Sequence, residues 1–170
     1  MLYKCPTAVE MPEGQLPADR MRCDGVLVYA LTAHALYAID RHKWIESEKN
    51  HRDLGDSAVD EWTDLHWRGW ARARLMEHLY GWRCWGGFGE DDFGLLLRAT
   101  VEYHVHRHVL EKVSSLLAAG GENLDVIAWA LSTQEPLDPI LWLLDRIDIN
   151  AKRSHLLTEH IRQFTQRNHS

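Results

Sequence analysis

The sequence predicts an all-α protein: a single helical bundle of four long helices and one short helix, preceded by an irregular arm. Three observations carry this. Apolar residues recur at three- and four-residue steps over long stretches, as one face of a helix requires. Glycine and proline cluster between those stretches. No run alternates apolar and polar residues as a half-buried strand does. With 170 residues, 45% of them hydrophobic, the chain can bury one good core, so residues 25–170 are expected to form one domain behind an arm over 1–24.

The arm holds three of the five prolines and little periodicity. A first helix is expected from Val26 to Asn50, with the stripe Val26, Ala30, Ala33, Tyr37, Trp44, Glu48 and His51, and Gly55 beyond its end. Asp56-Ser57 offers an N-cap for a second helix, with Asp60 and Glu61 early in it, where the helix dipole favours acids. That helix should reach Tyr80 and stop at Gly81. The stretch 81–94, GWRCWGGFGEDDFG, has five glycines and four aromatics and reads as a loop anchored by rings. Asp91 or Asp92 can cap a third helix, Leu95 to Leu117, which ends before Gly120-Gly121. Glu122 to Thr133 is expected as the short helix. Pro139 then suits the first turn of a last helix running to about Gln166.

Composition narrows the function classes. A net charge of −6, from 19 basic and 25 acidic residues, disfavours a general nucleic-acid binder. No apolar run approaches the ~18–20 residues that span a bilayer, so no membrane partner is expected. The N-terminal segment lacks the basic-then-apolar layout of a signal peptide, and Cys5, Cys23 and Cys84 form no paired-cysteine motif. A cytoplasmic protein with reduced thiols is the expectation. Histidine (11) and tryptophan (8) are both abundant.

Histidine and glutamate give the sharpest functional expectation. Glu102 and His106 fall inside the apolar stripe of the third predicted helix, where a charged or imidazole side chain is costly without a partner or a metal. The first helix carries Glu48 and His51 in line with its stripe, and the last carries His155 and Glu159. Helix bundles build metal sites from such inward-facing pairs. The expected ligands are therefore Glu48, His51, Glu102, His106, His155 and Glu159. They would hold iron or manganese, with zinc as a further option, in a mononuclear or dinuclear redox-active centre. In the second helix His66 and Glu77 lie roughly 16 Å apart along the axis, too far to share one site. Abundance adds nothing: 12 Glu and 11 His would give roughly three helically spaced pairs by chance, and five occur. The weight rests on which way the side chains face, and buried Glu–His pairs that only fix packing remain the competing account.

The order Glu48/His51, Glu102, His155/Glu159 resembles, in layout, the ferritin-like and heme-oxygenase-like di-metal proteins, which place Glu and E-x-x-H or H-x-x-x-D/E elements on successive core helices. The resemblance implies oxygen or redox chemistry. Only one E-x-x-H lies on an expected core-facing helix, where ferritin-like proteins have two.

Other signals have blander accounts. His104, His108 and Glu111 could chelate a metal on the surface but fit a solvated face better. The run 67–85 interleaves Trp67, Trp70, Trp82 and Trp85 with Arg68, Arg72, Arg74 and Arg83. Such arginines hold phosphates or bases, or only lay their stems over apolar surface. Cys84 near His78 is a weak thiol-site candidate. A second class of function is a non-catalytic interaction subunit, with a protein partner or a homo-oligomer, contacting through the Trp-rich loop 82–93 and the N-terminal arm.

Overall fold

A computed structural model of the chain describes residues 18–22 and 24–149. The chain is mostly helical, with seven α-helices and a small three-stranded sheet among the described residues. The expected helical class is correct in outline. The bundle of four long helices and one short one is not what forms, because two of the long helices divide and the first yields its start to a strand.

Strand β1 (Ala18–Met21) pairs antiparallel with β2 (Leu27–Ala30), and β3 (Cys84–Gly86) adds to β2 in parallel. Gly25, at φ 82°, closes the β1–β2 turn, where the Arg22 N–H donates to the Val26 carbonyl (2.9 Å). The helix expected from Val26 fails over its first residues: Val26-Leu27-Val28-Tyr29 suits a pleated, half-buried surface, and a short apolar run does not reveal its period. Helix α1 (Leu31–Asn50) follows β2 directly and ends at His51 in the left-handed region, φ 52°.

The second expected helix is two, α2 (Asp56–Leu65) and α3 (Trp67–Leu79), bent at His66. Backbone hydrogen bonds run through the bend, His66 N–H to the Trp62 carbonyl (2.8 Å) and Trp70 N–H to that of His66 (3.0 Å). A short 3-10 turn (Glu90–Asp92) precedes α4 (Leu95–Glu102), whose N-cap is Gly94 rather than either aspartate.

The third expected helix breaks after Glu102. Helix α5 starts at Arg107 and runs to Ala118, and His104 between them takes φ 55°. The sequence Thr100-Val101-Glu102-Tyr103-His104-Val105-His106 explains the break, since β-branched and aromatic residues lose side-chain freedom in a helix. Tertiary contacts complete it: Val105 is buried, its N–H reaches the Ala99 carbonyl (3.2 Å), and the Tyr103 ring packs on Trp142 at 3.9 Å.

Helix α6 (Asn123–Thr133) matches the expected short helix. Glu122 and Asp125 form a reciprocal capping box, with the Glu122 N–H 2.7 Å from Asp125 Oδ2. Helix α7 (Leu137–Ile147) starts near the expected place and ends at Asp148, φ 42°; the rest of the expected last helix lies outside the described residues.

Two apolar clusters hold these elements. The larger joins Leu75, Met76 and Leu79 of α3 to inward residues of α4–α7, including Leu95, Val113, Leu117, Ile140 and Leu143. The smaller joins Leu31, Ala35 and Ile39 of α1 to Trp62, Trp67, Ala71 and Trp85, and Phe88 packs against both. Arg72 ties α3 to α5: its buried Nη1 donates to the carbonyl of Leu117 (2.9 Å), which also accepts the Gly120 N–H, and to that of Gly121 (3.0 Å) just beyond the helix.

Candidate functional site

The buried Glu–His face expected on residues 95–117 does not exist. Glu102 ends α4 in solvent, 3.4 Å from Arg98. His106 is the exposed N-cap of α5, its ring stacked against His108 with centroids 5.8 Å apart. The continuous apolar stripe concealed a helix break, and the break turns both side chains outward. Glu48 and His51 are exposed too, and they line one open cleft of about 560 Å³ with Asp40, Lys43, Trp44, Ser47, Arg52 and Asp53. His155 and Glu159 lie outside the described residues. Among the described residues no group of three or more His, Cys, Asp or Glu is gathered tightly enough to hold a metal ion. Nor do His104, His108 and Glu111 act together: His108 pairs with Glu135 at 2.9 Å, and Glu111 with Arg107 at 2.9 Å.

A different histidine pair does meet. The rings of His42 on α1 and His66 at the α2–α3 bend lie 5.2 Å apart, and Glu61 Oε2 stands 3.5 Å from His42 Nε2. One turn on, Lys49 hydrogen-bonds Glu46 and holds its carboxyl below the usual range, with smaller help from the two imidazoles.

The Cys84–His78 pairing does not form either. His78 is fully buried and both its ring nitrogens are engaged: Nδ1 accepts the Trp85 N–H (3.0 Å) and Nε2–H donates to the Gly89 carbonyl (2.9 Å). Both bonds together require the neutral Nε2–H tautomer. Phe88 and Phe93 set their rings against the imidazole at 5.5 Å each. His78 therefore pins the glycine-rich loop to α3. The burial of Cys84 in a parallel strand is a second obstacle to thiol chemistry there.

Trp85 is the hub of the smaller cluster. It is 1% exposed, although the sequence suggested it as a contact residue of the loop. Its indole N–H donates to Glu77 Oε2 (2.8 Å), while Glu77 Oε1 takes the Arg74 guanidinium at 2.5 Å. The Arg74 guanidinium also lies over the rings of Trp70 (5.3 Å) and Trp85 (5.5 Å), and that of Arg83 over Tyr29 (5.0 Å) and Trp85 (5.6 Å). The His34 ring meets the Trp85 ring edge-on at 4.8 Å. Burial lowers the His34 pKa from its ordinary value, the charges of Arg83 and Arg74 lower it further, and Glu77 opposes them.

Several large apolar side chains are exposed among the described residues, and three of them lie near the end of α3 and on α4. Trp82, Leu97 and Val101 are 73%, 65% and 78% exposed. Leu97 and Val101 are one turn apart on α4. The Gly81 backbone lies against Leu97, where an added Cβ would stand 3.4 Å from Leu97 Cδ1, and Trp82 stacks on Tyr80 at 4.7 Å. No helix among the described residues is long and apolar enough to cross a membrane. No protein-family model, curated protein or solved structure matches the chain.

Proposed function

We propose that the protein is a non-catalytic interaction subunit that presents Trp82, Leu97 and Val101 to an apolar segment of a partner protein. The observation that supports this is that Leu97 and Val101, one turn apart on α4, are both mostly in solvent, as is Trp82, whose neighbour Gly81 lies against Leu97. Large exposed apolar patches mark interaction surfaces, and tryptophan is enriched where partners bind tightly. The patch keeps part of the Trp-rich loop expected to make contacts, without Trp85; the N-terminal arm through residue 17 lies outside the described residues. The test is sedimentation of the purified protein over a range of concentrations, beside the double variant Leu97→Glu, Val101→Glu. A second copy as partner gives a dimer that the variant loses. A different partner leaves both monomeric, and the wild type alone then retains a co-purifying protein. A monomer whose retained proteins are unchanged by the substitutions removes the proposal.

A second reading is a metal site of iron or manganese, or of zinc, drawn from Glu48 and His51. Glu48 and His51 line the open cleft with Asp40 and Asp53, side chains of the kind these ions take; the four are not gathered in this structure and would have to close on the ion. Elemental analysis after expression with iron or manganese tests it: about one equivalent that falls in Glu48→Gln is expected, and none in the wild type refutes it.

A further inference from the structure

We propose that Arg83, Arg74 and His34 form a binding site for a small oxyanion, a phosphate or carboxylate group, beside the Trp85 ring. The cluster has more donors than acceptors. Glu77 is its one carboxylate, and both its oxygens are committed, to Arg74 and to the Trp85 indole N–H. Arg74 Nε is buried with no hydrogen-bond partner, and so is His34 Nε2. Arg83 makes its side-chain contacts among the described residues through ring faces, of Tyr29 and Trp85, which leave its planar fork of N–H donors without a protein acceptor. With Glu77 offsetting Arg74, Arg83 leaves one net positive charge over the Tyr29–Trp85 wall.

Buried polar atoms are seldom left without partners, and two of them converging on one ring require an account. An oxyanion supplies acceptors to both, to Arg83 and to a protonated His34 Nε2. Guanidinium donors suit carboxylate and phosphate oxygens in geometry and charge. The fold explains the convergence. The parallel β2–β3 register sets Tyr29 beside Trp85, α1 begins one residue after β2 and so delivers His34, and α3 delivers Arg74 and Glu77. His34 and Arg83 are both half-buried, so the cluster borders solvent, and an anion would reach the covered His34 and Arg74 nitrogens by displacing the Arg83 side chain.

The full chain is titrated by calorimetry with inorganic phosphate and, separately, with acetate, at constant ionic strength. One site with a Kd at or below about 1 mM is expected for at least one of them. Arg83→Gln should weaken it at least tenfold, His34→Gln severalfold, and Arg68→Gln, on the exposed face of α3, should leave it unchanged. Tighter phosphate binding marks a phosphoryl ligand, and tighter acetate binding marks a carboxylate. The His34 imidazole, followed by NMR, should titrate at higher pH when the site is full. No saturable binding of either anion overturns the proposal, as does binding that Arg83→Gln and His34→Gln leave intact.

Discussion

Replacing His78 by alanine tests how the glycine-rich loop is held. The substitution removes the acceptor for the buried Trp85 N–H and the donor for the Gly89 carbonyl. The Trp85 N–H is buried, so stranding it costs about 1–3 kcal/mol. Gly89 is exposed, and its carbonyl can be rehydrated for a fraction of that. Loss of the ring from between Phe88 and Phe93 adds a cavity cost of about 1–2 kcal/mol. The expected total is about 2–5 kcal/mol, a large share of the stability of a typical domain, ~5–15 kcal/mol. Urea unfolding should show a lower midpoint with an unchanged slope, and the Trp85 amide should lose protection from hydrogen exchange. His78→Gln, which carries both a donor and an acceptor, should recover part of the loss. A His78→Ala protein within about 1 kcal/mol of wild type would refute the pinning argument.

Three further outcomes follow from the same structure. Arg72→Met should cost about 2–4 kcal/mol by urea unfolding, because two carbonyls at the end of α5 lose a charged donor, and Arg72→Lys should not restore both bonds. For His34 the folded-state pKa lies below the unfolded one, so the unfolded chain takes up the proton first as pH falls. Stability should be unaffected above the ordinary histidine range and decline as pH drops from ~6.5 through the folded value, and His34→Gln should flatten that slope of unfolding free energy against pH. The exposed substitutions Leu97→Glu and Val101→Glu should each change thermal stability by less than about 0.5 kcal/mol, which separates a lost contact surface from a lost fold.

Much of the helical outline was legible, and the losses have physical causes. The helix ends at Asn50 and before Gly81, and the short helix near Glu122–Thr133, came through, although His51 rather than Gly55 caps the first of them. The break at Tyr103–His106 did not, since apolar positions on either side of it stay in phase when projected on one helix. The β-branched and aromatic content of 100–106 was the signal available there. The β2 strand was hidden by the brevity of its apolar run, and its partner β3 lies more than fifty residues away, beyond any periodic pattern. The candidate site suffered from the same break: a facing argument depends on one unbroken helix, and Glu102 and His106 lost theirs. Arginine–tryptophan interleaving at 67–85 was visible, yet which rings would be buried depended on α1 and the sheet closing over Trp85. His78, the most engaged histidine described, drew notice only as a neighbour of Cys84, because its partners are backbone groups that carry no side-chain signature.

Site-specific photo-crosslinking tests the interaction reading most directly. A photoreactive side chain is placed at Val101, and as a control at exposed Asp60 on α2, in the full chain expressed in cells. A discrete protein adduct that forms from position 101, is absent from position 60, and disappears when Leu97 becomes Glu is the predicted result. Adducts equal from both positions, or none from position 101, would contradict a docking surface built on Trp82, Leu97 and Val101.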